Sequence, residues 1–403
     1  MNKKILVYLT GSTLVFLMGL ALFFVIKHPT TKRPVDIVPV SLKDSFPLDS
    51  QSNAHLLKAI GTTVSLLQEK PFDSVKVLGK TVSQRALLNA FLKLDRRLKQ
   101  GEDLKEAISG IFDVYEVLRQ GDEGKLLVTG YYQPEFEASF SKTDEFNVPV
   151  LSLPPDLIGV RLRDFDQSLP AMTLWGRIEG QRFLPYFKRH EIEQRFRETP
   201  SLFKPLCWLS SPVDLLELQI QGSAIIKVNG KRRFIHYAAS NGRPYKSVGK
   251  ILLKRGFLDK KSLTWPKIRK WANEHPKVFD TILSQNDRYI FFKWEGNGPL
   301  GCYGKVLVPG VSAALDKRLF PPGLPLIVKL PLPRLHLDGL NWLRARSGQP
   351  ISLFVINHDT GSAIKGPFRM DLYTGTGQDA GSLAGHMKQR ARMFLLFPKS
   401  KGE

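Results

Sequence analysis

Residues 351–375 read ISLFVINHDTGSAIKGPFRMDLYTG, and this stretch decides the fold class. An apolar run ends at Asp359, a turn rich in Gly and Pro follows, and a second β-type run carries Asp371. Alternation along a strand places Asp371 on one face with Arg369 and Tyr373, while apolar side chains occupy the other face. We therefore predict a β-sheet that presents a carboxyl group from its polar side.

A third acid follows the same pattern upstream. Residues 311–323 read VSAALDKRLFPPG, in which a short apolar segment runs into Asp316 and then into a Pro-Pro-Gly turn. Three carboxyl groups at strand ends, gathered by a barrel, can supply an acid with a raised pKa and a partner that tunes it. The alternative is that each Asp caps a turn through its own backbone. Spacing alone leaves both interpretations open.

Short β-type runs separated by Gly and Pro dominate the chain after residue 121, which is typical of barrels and sandwiches. Helical pieces at residues 190–197 and 388–392 lie between them, so we predict an α+β, mainly β, fold. The predicted strands are LLVTGYY from 126, VPVLSL from 148, LLELQIQGSAIIKV from 215, RRFIHYA from 232, RYIFFKW from 288, PLIVKL from 325, ISLFVIN from 351 and RMDLYTG from 369.

Helical periodicity extends from about residue 52 to residue 120. Ser83 is a typical N-cap before one apolar stripe, and Gly101 is expected to end that helix. A second stripe follows, made of Leu104, Ile108, Ile111 and Tyr115. We predict that these helices are packing elements.

Composition bounds the function without deciding it. The 403 residues are enough for two or three domains, and 42% apolar with 24% charged residues excludes a disordered, collagen-like or coiled-coil chain. Lys and Arg outnumber Asp and Glu by 59 to 37, so the net charge of +22 attracts polyanions of any kind.

Cofactor and thiol chemistry have little support in the sequence. There is no P-loop, no G-x-S-x-G and no H-E-x-x-H, so we predict neither a cofactor nor a metal site. Cys207 and Cys302 are the two cysteines, too few for a disulfide framework or a four-thiolate zinc site. One disulfide stays open, and we expect both to be buried structural cysteines.

The N-terminus predicts a membrane anchor. The uncharged run ILVYLTGSTLVFLMGLALFFVI covers residues 5–26, and its length matches a bilayer core of roughly 30 Å. No A-x-A-like cleavage site follows, so we predict an uncleaved signal anchor within residues 1–33 and a linker over 34–50. A buried core helix is the alternative.

Further segments add to the C-terminal pattern in a fixed order. They are TGYY at 129–132, PY at 185–186, QIQGS at 219–223, YAASNG at 237–242 and YIFF at 289–292. Together with 311–323 and 359–373, these segments resemble the membrane-bound lytic murein transglycosylase A family, whose C-terminal part is a three-aspartate domain.

The resemblance implies a domain organisation. A double-psi β-barrel domain would be built from residues 51–139 and 295–403, the former including the N-terminal helices. A second, β-rich domain over 140–294 would be inserted into it, and a peptidoglycan strand would lie in the groove between the two.

The resemblance also implies an activity: cleavage of the β-1,4 bond between N-acetylmuramic acid and N-acetylglucosamine, leaving a 1,6-anhydro ring. The family's catalytic acid maps onto Asp371, and a supporting aspartate maps onto Asp359. Because the sugar's own 6-hydroxyl attacks, one carboxyl group with a raised pKa suffices. The predicted substrate contacts are Tyr131, Tyr132, Gln221, Ser223, Asn241, Trp294, Asp316, Lys365 and Tyr373.

Other functions stay open at this point. Asp371 and Asp359 could act as an acid and base pair in true hydrolysis, or the groove could bind murein without turnover. Nucleic-acid binding rests on charge alone, and without a known DNA-reading motif we predict no such partner. The lipoprotein Cys usual in the family is absent after residue 26, so we expect an inner-membrane anchor with the domains facing the periplasm of a Gram-negative-type envelope.

Overall fold

The computed structural model describes residues 35–42, 48, 51–69, 72–119, 126–170, 172–259, 263, 265–333, 340, 350–361 and 363–400. The predicted membrane span at residues 5–26 lies outside these ranges. Within them, no helix is both long and apolar enough to cross a bilayer.

The described residues form nineteen strands and nine α-helices, with short 3₁₀ helices at Leu162–Asp164 and Pro200–Leu202. The strands are β1 Val35–Val40, β2 Ser74–Val77, β3 Lys80–Ser83, β4 Phe112–Arg119, β5 Leu126–Gln133, β6 Glu135–Ser139, β7 Val148–Leu151, β8 Ile158–Arg161, β9 Thr173–Glu179, β10 Arg182–Pro185, β11 Pro205–Leu209, β12 Ser223–Val228, β13 Lys231–Ser240, β14 Ile290–Glu295, β15 Ser312–Ala314, β16 Pro325–Pro331, β17 Pro350–Asp359, β18 Arg369–Thr376 and β19 Lys388–Pro398. The helices are α1 Asn53–Glu69, α2 Gln84–Lys99, α3 Leu104–Ile111, α4 Arg189–Glu198, α5 Pro212–Gln221, α6 Val248–Lys254, α7 Trp265–Glu274, α8 Pro276–Leu283 and α9 Gly377–His386.

The first sheet closes on itself. Its strand order is β1-β4-β19-β16-β17-β15-β18-β5, and an additional β19–β5 pairing joins six of these strands into a ring, called here the first barrel. The β15–β17 and β18–β5 pairs are parallel, and the other pairs of the ring are antiparallel. Apolar side chains such as Phe354 and Phe394 fill its interior.

A second sheet of six strands follows the order β14-β13-β12-β6-β11-β7. An isolated bridge between Ser152 and Phe292 brings its two edges together. Pro134 alone separates β5 of the first barrel from β6 of this second sheet, so the two sheets meet at the end of β5. A smaller sheet, β10-β9-β8, lies beside the second sheet.

Helix α1 is fixed to the first barrel by a buried histidine. Thr63 Oγ1 lies 2.8 Å from His358 Nε2, and Ser312 Oγ lies 2.8 Å from His358 Nδ1. Burial lowers the pKa of His358 to about 3, so the ring is neutral. This contact holds α1 against the strand that ends at Asp359.

Several local predictions are confirmed. The Ser83 side chain accepts a hydrogen bond from Ala86 N at the start of α2, and Gly101 follows the end of that helix with φ +83°. The helix expected at 190–197 is α4. The mainly β class with added helices is also confirmed.

Other local predictions are wrong because tertiary pairing overrides periodicity. Tyr115 lies in strand β4 and not on a helix, residues 388–392 belong to β19, and part of the predicted linker is strand β1. The predicted strand from 215 begins instead as helix α5, which Ser211 caps at its start and Gly222, with φ +82°, ends.

Candidate active site

Strand register brings Asp371 beside the TGYY segment. In the parallel β18–β5 pair, Asp371 lies opposite Thr129 and Tyr373 lies opposite Tyr131. Because residues two apart point to the same side of a strand, all four side chains share one face. Thr129 Oγ1 donates a hydrogen bond to Asp371 Oδ1 at 2.5 Å.

Asp359 reaches the same place from the end of β17. Ala314 on the intervening strand β15 pairs with Asp359 on one side and with Asp371 on the other. The two aspartates therefore flank a residue whose side chain is a single methyl group. Of the three carboxyl groups expected at strand ends, Asp359 and Asp371 are thus placed on either side of Ala314.

The Asp359 carboxylate accepts hydrogen bonds from four donors. Cys302 N and Thr360 N donate to Oδ1 at 2.7 and 2.8 Å, and Tyr131 Oη donates to Oδ2 at 3.0 Å. The Cys302 thiol is the fourth donor. An ionised carboxylate only accepts hydrogen bonds, so these donors favour the anion.

Both carboxyl groups are half-buried. Burial raises the pKa of Asp371 to about 6, with a further upward contribution from Asp359; the hydrogen bond from Thr129 and the charge of Arg369 oppose it. Burial likewise raises the pKa of Asp359, and its four donors oppose that rise. Asp371 has one donor and Asp359 has four, so Asp371 is the group of the pair that keeps its proton to higher pH.

Asp316 differs from the other two aspartates. Arg318 donates to both its oxygens, Nε at 2.9 Å and Nη2 at 2.6 Å, and Gly366 N donates at 2.7 Å. The Arg318 hydrogen bonds hold the pKa of Asp316 well below its usual range. Its side chain is 1% exposed, so the predicted substrate contact is wrong: Asp316 ties the turn before β18 to β15.

The aromatic residues predicted to contact substrate differ in their surroundings. Tyr131 contributes its hydroxyl to Asp359, and its ring centroid lies 5.4 Å from that of Tyr373. Tyr373 is fully buried and bonds Thr376, so it cannot stack on a sugar. Trp294 belongs to a separate group, edge-on to Phe140 with centroids 6.1 Å apart.

Tyr132 and Gln221 lie where the two sheets meet. Gln221 Oε1 accepts from Tyr132 N at 3.3 Å, and the Tyr132 hydroxyl donates to Glu217 on α5. Arg269 on α7 in turn donates to Glu217 at 2.8 Å. Tyr132, the residue after Tyr131 on β5, thus connects that strand to helices α5 and α7, which lie beside the second sheet.

The remaining predicted contacts are two buried polar residues, Asn241 and Ser223, and one lysine, Lys365. Asn241 is wrong as a substrate contact: its amide donates to the carbonyls of Phe187 and Asp287 and accepts from Tyr289 N, all inside the fold. Ser223 begins β12 and is buried. Lys365 is exposed, and Arg369 donates to the Met370 carbonyl at 2.7 Å.

Cysteine predictions are half right. Cys207 is buried, as expected, but Cys302 is exposed, and both are free thiols. Thr129 and Cys302 are the site residues that sequence reasoning missed. Thr129 belongs to the quoted TGYY segment, so the period-2 argument applied to β5 could have found it; Cys302 carries no local signal.

Among the described residues, no three His, Cys, Asp or Glu side chains are grouped in a way that could hold a metal ion. The groups that the site brings together are the carboxyl pair and its hydroxyl and main-chain donors.

Comparison with known proteins identifies the family. A family model described as the MltA specific insert domain matches residues 127–293, and one described as the 3D domain matches residues 311–397. The chain belongs to the MltA family. The first match includes Thr129, and the second includes Asp359 and Asp371.

Individual relatives agree. Membrane-bound lytic murein transglycosylase A of Escherichia coli K12 is 27% identical over 312 residues, covering 76% of this chain and 75% of that protein. The protein of the same name from Vibrio cholerae is 29% identical over 279 residues, 68% of this chain and 66% of that protein. A crystal structure of membrane-bound lytic murein transglycosylase from Agrobacterium tumefaciens superposes with a TM-score of 0.74 at 27% identity, covering 90% of this chain and 98% of that one.

Proposed function

We propose that this chain is a lytic murein transglycosylase, with Asp371 as its acid and base. The observation that carries the proposal is the half-buried Asp371 carboxyl group, with a pKa raised to about 6 and a single hydrogen-bond donor, beside a second aspartate that four donors hold. A general acid works best when its pKa is near the working pH. The names of the relatives point to the same activity.

The proposed reaction needs no water. Asp371 gives its proton to the glycosidic oxygen while the bond from that oxygen to the anomeric carbon of N-acetylmuramic acid breaks. The 6-hydroxyl oxygen of the same sugar then bonds to that carbon, and its proton passes to the Asp371 carboxylate. The acid is restored, and the products are a 1,6-anhydro end and a free 4-hydroxyl group.

The geometry of Asp359 supports transglycosylation over hydrolysis. A hydrolase uses a second carboxylate as base or nucleophile, and hydrogen-bond donors on its oxygens weaken it in either role. Both oxygens of Asp359 already accept hydrogen bonds, from Cys302 N, Thr360 N and Tyr131. Asp359 is therefore proposed as the anion that keeps the pKa of Asp371 high.

The wider organisation belongs to the same proposal. We assign the first barrel to the double-psi type, because β18–β5 and β15–β17 are parallel pairs within a closed ring. Of the predicted bounds, 51–139 and 295–403 with 140–294 inserted, the first is moved back to residue 133, because β6 pairs within the second sheet. Tyr132 and Gln221, at the meeting of the sheets, would contact the glycan in the groove. The apolar run at 5–26 would anchor the chain in the inner membrane, facing the periplasm.

The test is product analysis. The full chain in detergent is incubated with purified murein, and soluble products are identified by mass spectrometry for wild type, Asp371→Asn and Asp113→Asn. Asp113 is an exposed aspartate on β4 of the first sheet. We expect anhydro-muropeptides from wild type and Asp113→Asn, and a loss of at least about 10²-fold for Asp371→Asn. Reducing-end products would identify a hydrolase. Murein pulldown without turnover in wild type would identify a binding protein.

A further inference from the structure

A tight turn at residues 299–307, called here the Cys302 turn, packs against the carboxyl pair. Gly301 N donates to the Lys305 carbonyl and Gly304 N donates to the Gly301 carbonyl, both at 2.9 Å. The Lys305 ammonium group donates to Ser65 Oγ at 2.7 Å and also bonds Glu69. The turn is therefore closed internally and tied to helix α1 from outside.

Close packing against Asp359 requires glycine at position 301. A Cβ atom there would stand 2.6 Å from the His358 carbonyl oxygen and 3.3 Å from Asp359 Cγ. The first distance is shorter than any normal contact with backbone, so any other residue would push the turn away. Gly296, earlier in the same segment, has no atom within 4 Å of the corresponding position.

Two donors reach Asp359 from this turn. Cys302 N lies 2.7 Å from Oδ1, and the thiol donates to the same carboxylate. Loss of solvation and the neighbouring carboxylate raise the pKa of the thiol, so it stays protonated and remains a donor at neutral pH. One residue thus supplies two of the four donors on Asp359.

We propose that the Cys302 turn is a positioning element that holds Asp359 ionised, so that the proton shared by the pair resides on Asp371. The proposal rests on the proposed transglycosylase function and adds a residue to it. Two neighbouring carboxyl groups cannot both be anionic without cost, so the one with more donors is the anion. Cys302 touches no reacting atom and acts through Asp359.

Other charged and titratable groups face the pair from each neighbouring element. Tyr131 on β5 donates to Asp359, Arg369 on β18 lowers the pKa of Asp371, and Tyr303 lies in the turn. Lys317, which follows β15, acts on Cys302. Tyr303 and Lys317 interact with the Cys302 side chain, so Cys302→Ser, which keeps a donor at this position, is the matched control for Cys302→Ala.

The first experiment is a pH–rate profile on murein for the full chain. Cys302→Ala removes the thiol donor, so Asp359 takes up a proton at higher pH, while the pKa of Asp371 beside the ionised Asp359 keeps its value. We expect the acid limb of the profile to move to higher pH by about one unit, the scale of one hydrogen bond to a charged group, and the alkaline limb to stay in place. Cys302→Ser should restore the wild-type limbs, and Cys207→Ala serves as the control.

A matched glycine pair tests the close packing. Gly301→Ala should displace the turn and narrow the profile as Cys302→Ala does, while Gly296→Ala should leave it unchanged. A structural role alone would lower the rate at all pH values without moving the limbs. That outcome, or wild-type limbs for Cys302→Ala, would overturn the proposal.

A second experiment needs no turnover. The rate of Cys302 alkylation by iodoacetamide at pH 8 is measured for the full chain carrying Cys207→Ala, with and without Asp359→Asn. Because the Asp359 charge raises the pKa of the thiol, Asp359→Asn should speed alkylation several-fold. An unchanged rate would refute the contact. A faster rate with no murein turnover in wild type would instead refute the proposed function and leave the contact standing.

Discussion

Two aspartates of the first barrel, Asp316 and Asp371, respond to their surroundings in opposite ways. The side chain of Asp316 is 1% exposed, yet its pKa is well below the usual range, while the pKa of the half-buried Asp371 rises to about 6. The difference is the partner: Asp316 has Arg318 on both oxygens, and Asp371 has one hydroxyl. Exposure alone therefore does not decide which aspartate can hold a proton.

Asp359 extends the comparison, because it is coupled to Asp371 and lacks the salt bridge of Asp316. Main-chain N–H groups, a phenol and a thiol replace the guanidinium as its donors. Neutral donors favour the anion without cancelling its charge. That remaining charge is what raises the pKa of Asp371.

The largest expected effect comes from removing this charge. In Asp359→Asn the upward contribution to the pKa of Asp371 is lost, so the alkaline limb of the pH–rate profile should move to lower pH. Each unit of such a shift lowers the protonated fraction of Asp371 at neutral pH by about tenfold. The profile of anhydro-muropeptide release against pH measures this, with Asp113→Asn as control.

An alkaline limb that stays in place would contradict this role of Asp359. Asp371 would then owe its raised pKa to burial alone, and the comparison with Asp316 would reduce to the presence or absence of Arg318.

A smaller effect, on stability, is expected at Asp316. Asp316→Asn should lower the free energy of unfolding by about 2 kcal/mol at pH 7, the scale of hydrogen bonds to a charged group. Because the folded pKa of Asp316 is depressed, its contribution is present above the unfolded pKa of about 4 and is lost as pH falls through the folded pKa. Urea unfolding at pH 7 and pH 3 measures both.

At pH 3 the difference between the variant and wild type should therefore be smaller than at pH 7. Murein turnover by the folded variant should stay near wild type. A loss of turnover as large as that of Asp359→Asn would show that the two aspartates do not differ as proposed.

The smallest effect is expected at Thr129. Thr129→Val keeps the shape and removes the donor, and because that hydrogen bond lowers the pKa of Asp371, the alkaline limb should move to higher pH. The maximal rate should fall only a few-fold, since a single neutral donor is lost. Thr129→Ser keeps the hydroxyl, and its profile should match wild type.

Local sequence pattern predicted most strands but failed where a segment's neighbours decide its structure. Tyr115 continues a helical stripe, yet β4 forms because β1 and β19 pair with it. The segment after Ser211 reads as a strand, but its cap, Pro212 and the left-handed Gly222 make it a helix. Those end signals were present in the sequence and outweigh β-type composition.

At the site, residue type identified the acids but not the roles of their neighbours. Asp371 and Asp359 lie in segments that apolar alternation and flanking turn residues predicted as strands. Tyr373 and Asn241 looked like ligand contacts because aromatic rings and amides often are, and both instead stabilise the interior. The amide and phenol have the same hydrogen-bonding groups in either role, so only packing separates the two.

The sequence by itself determined the mainly β class, the acid-bearing strand ends and the family, because these depend on local alternation, turn residues and ordered motifs. Only the tertiary structure decided which aspartate is salt-bridged, that Ala314 separates the other two, and that Cys302 reaches Asp359. Arg318 stands only two residues from Asp316, whereas Cys302 lies 57 residues from Asp359, and a pKa depends on what surrounds a group in space.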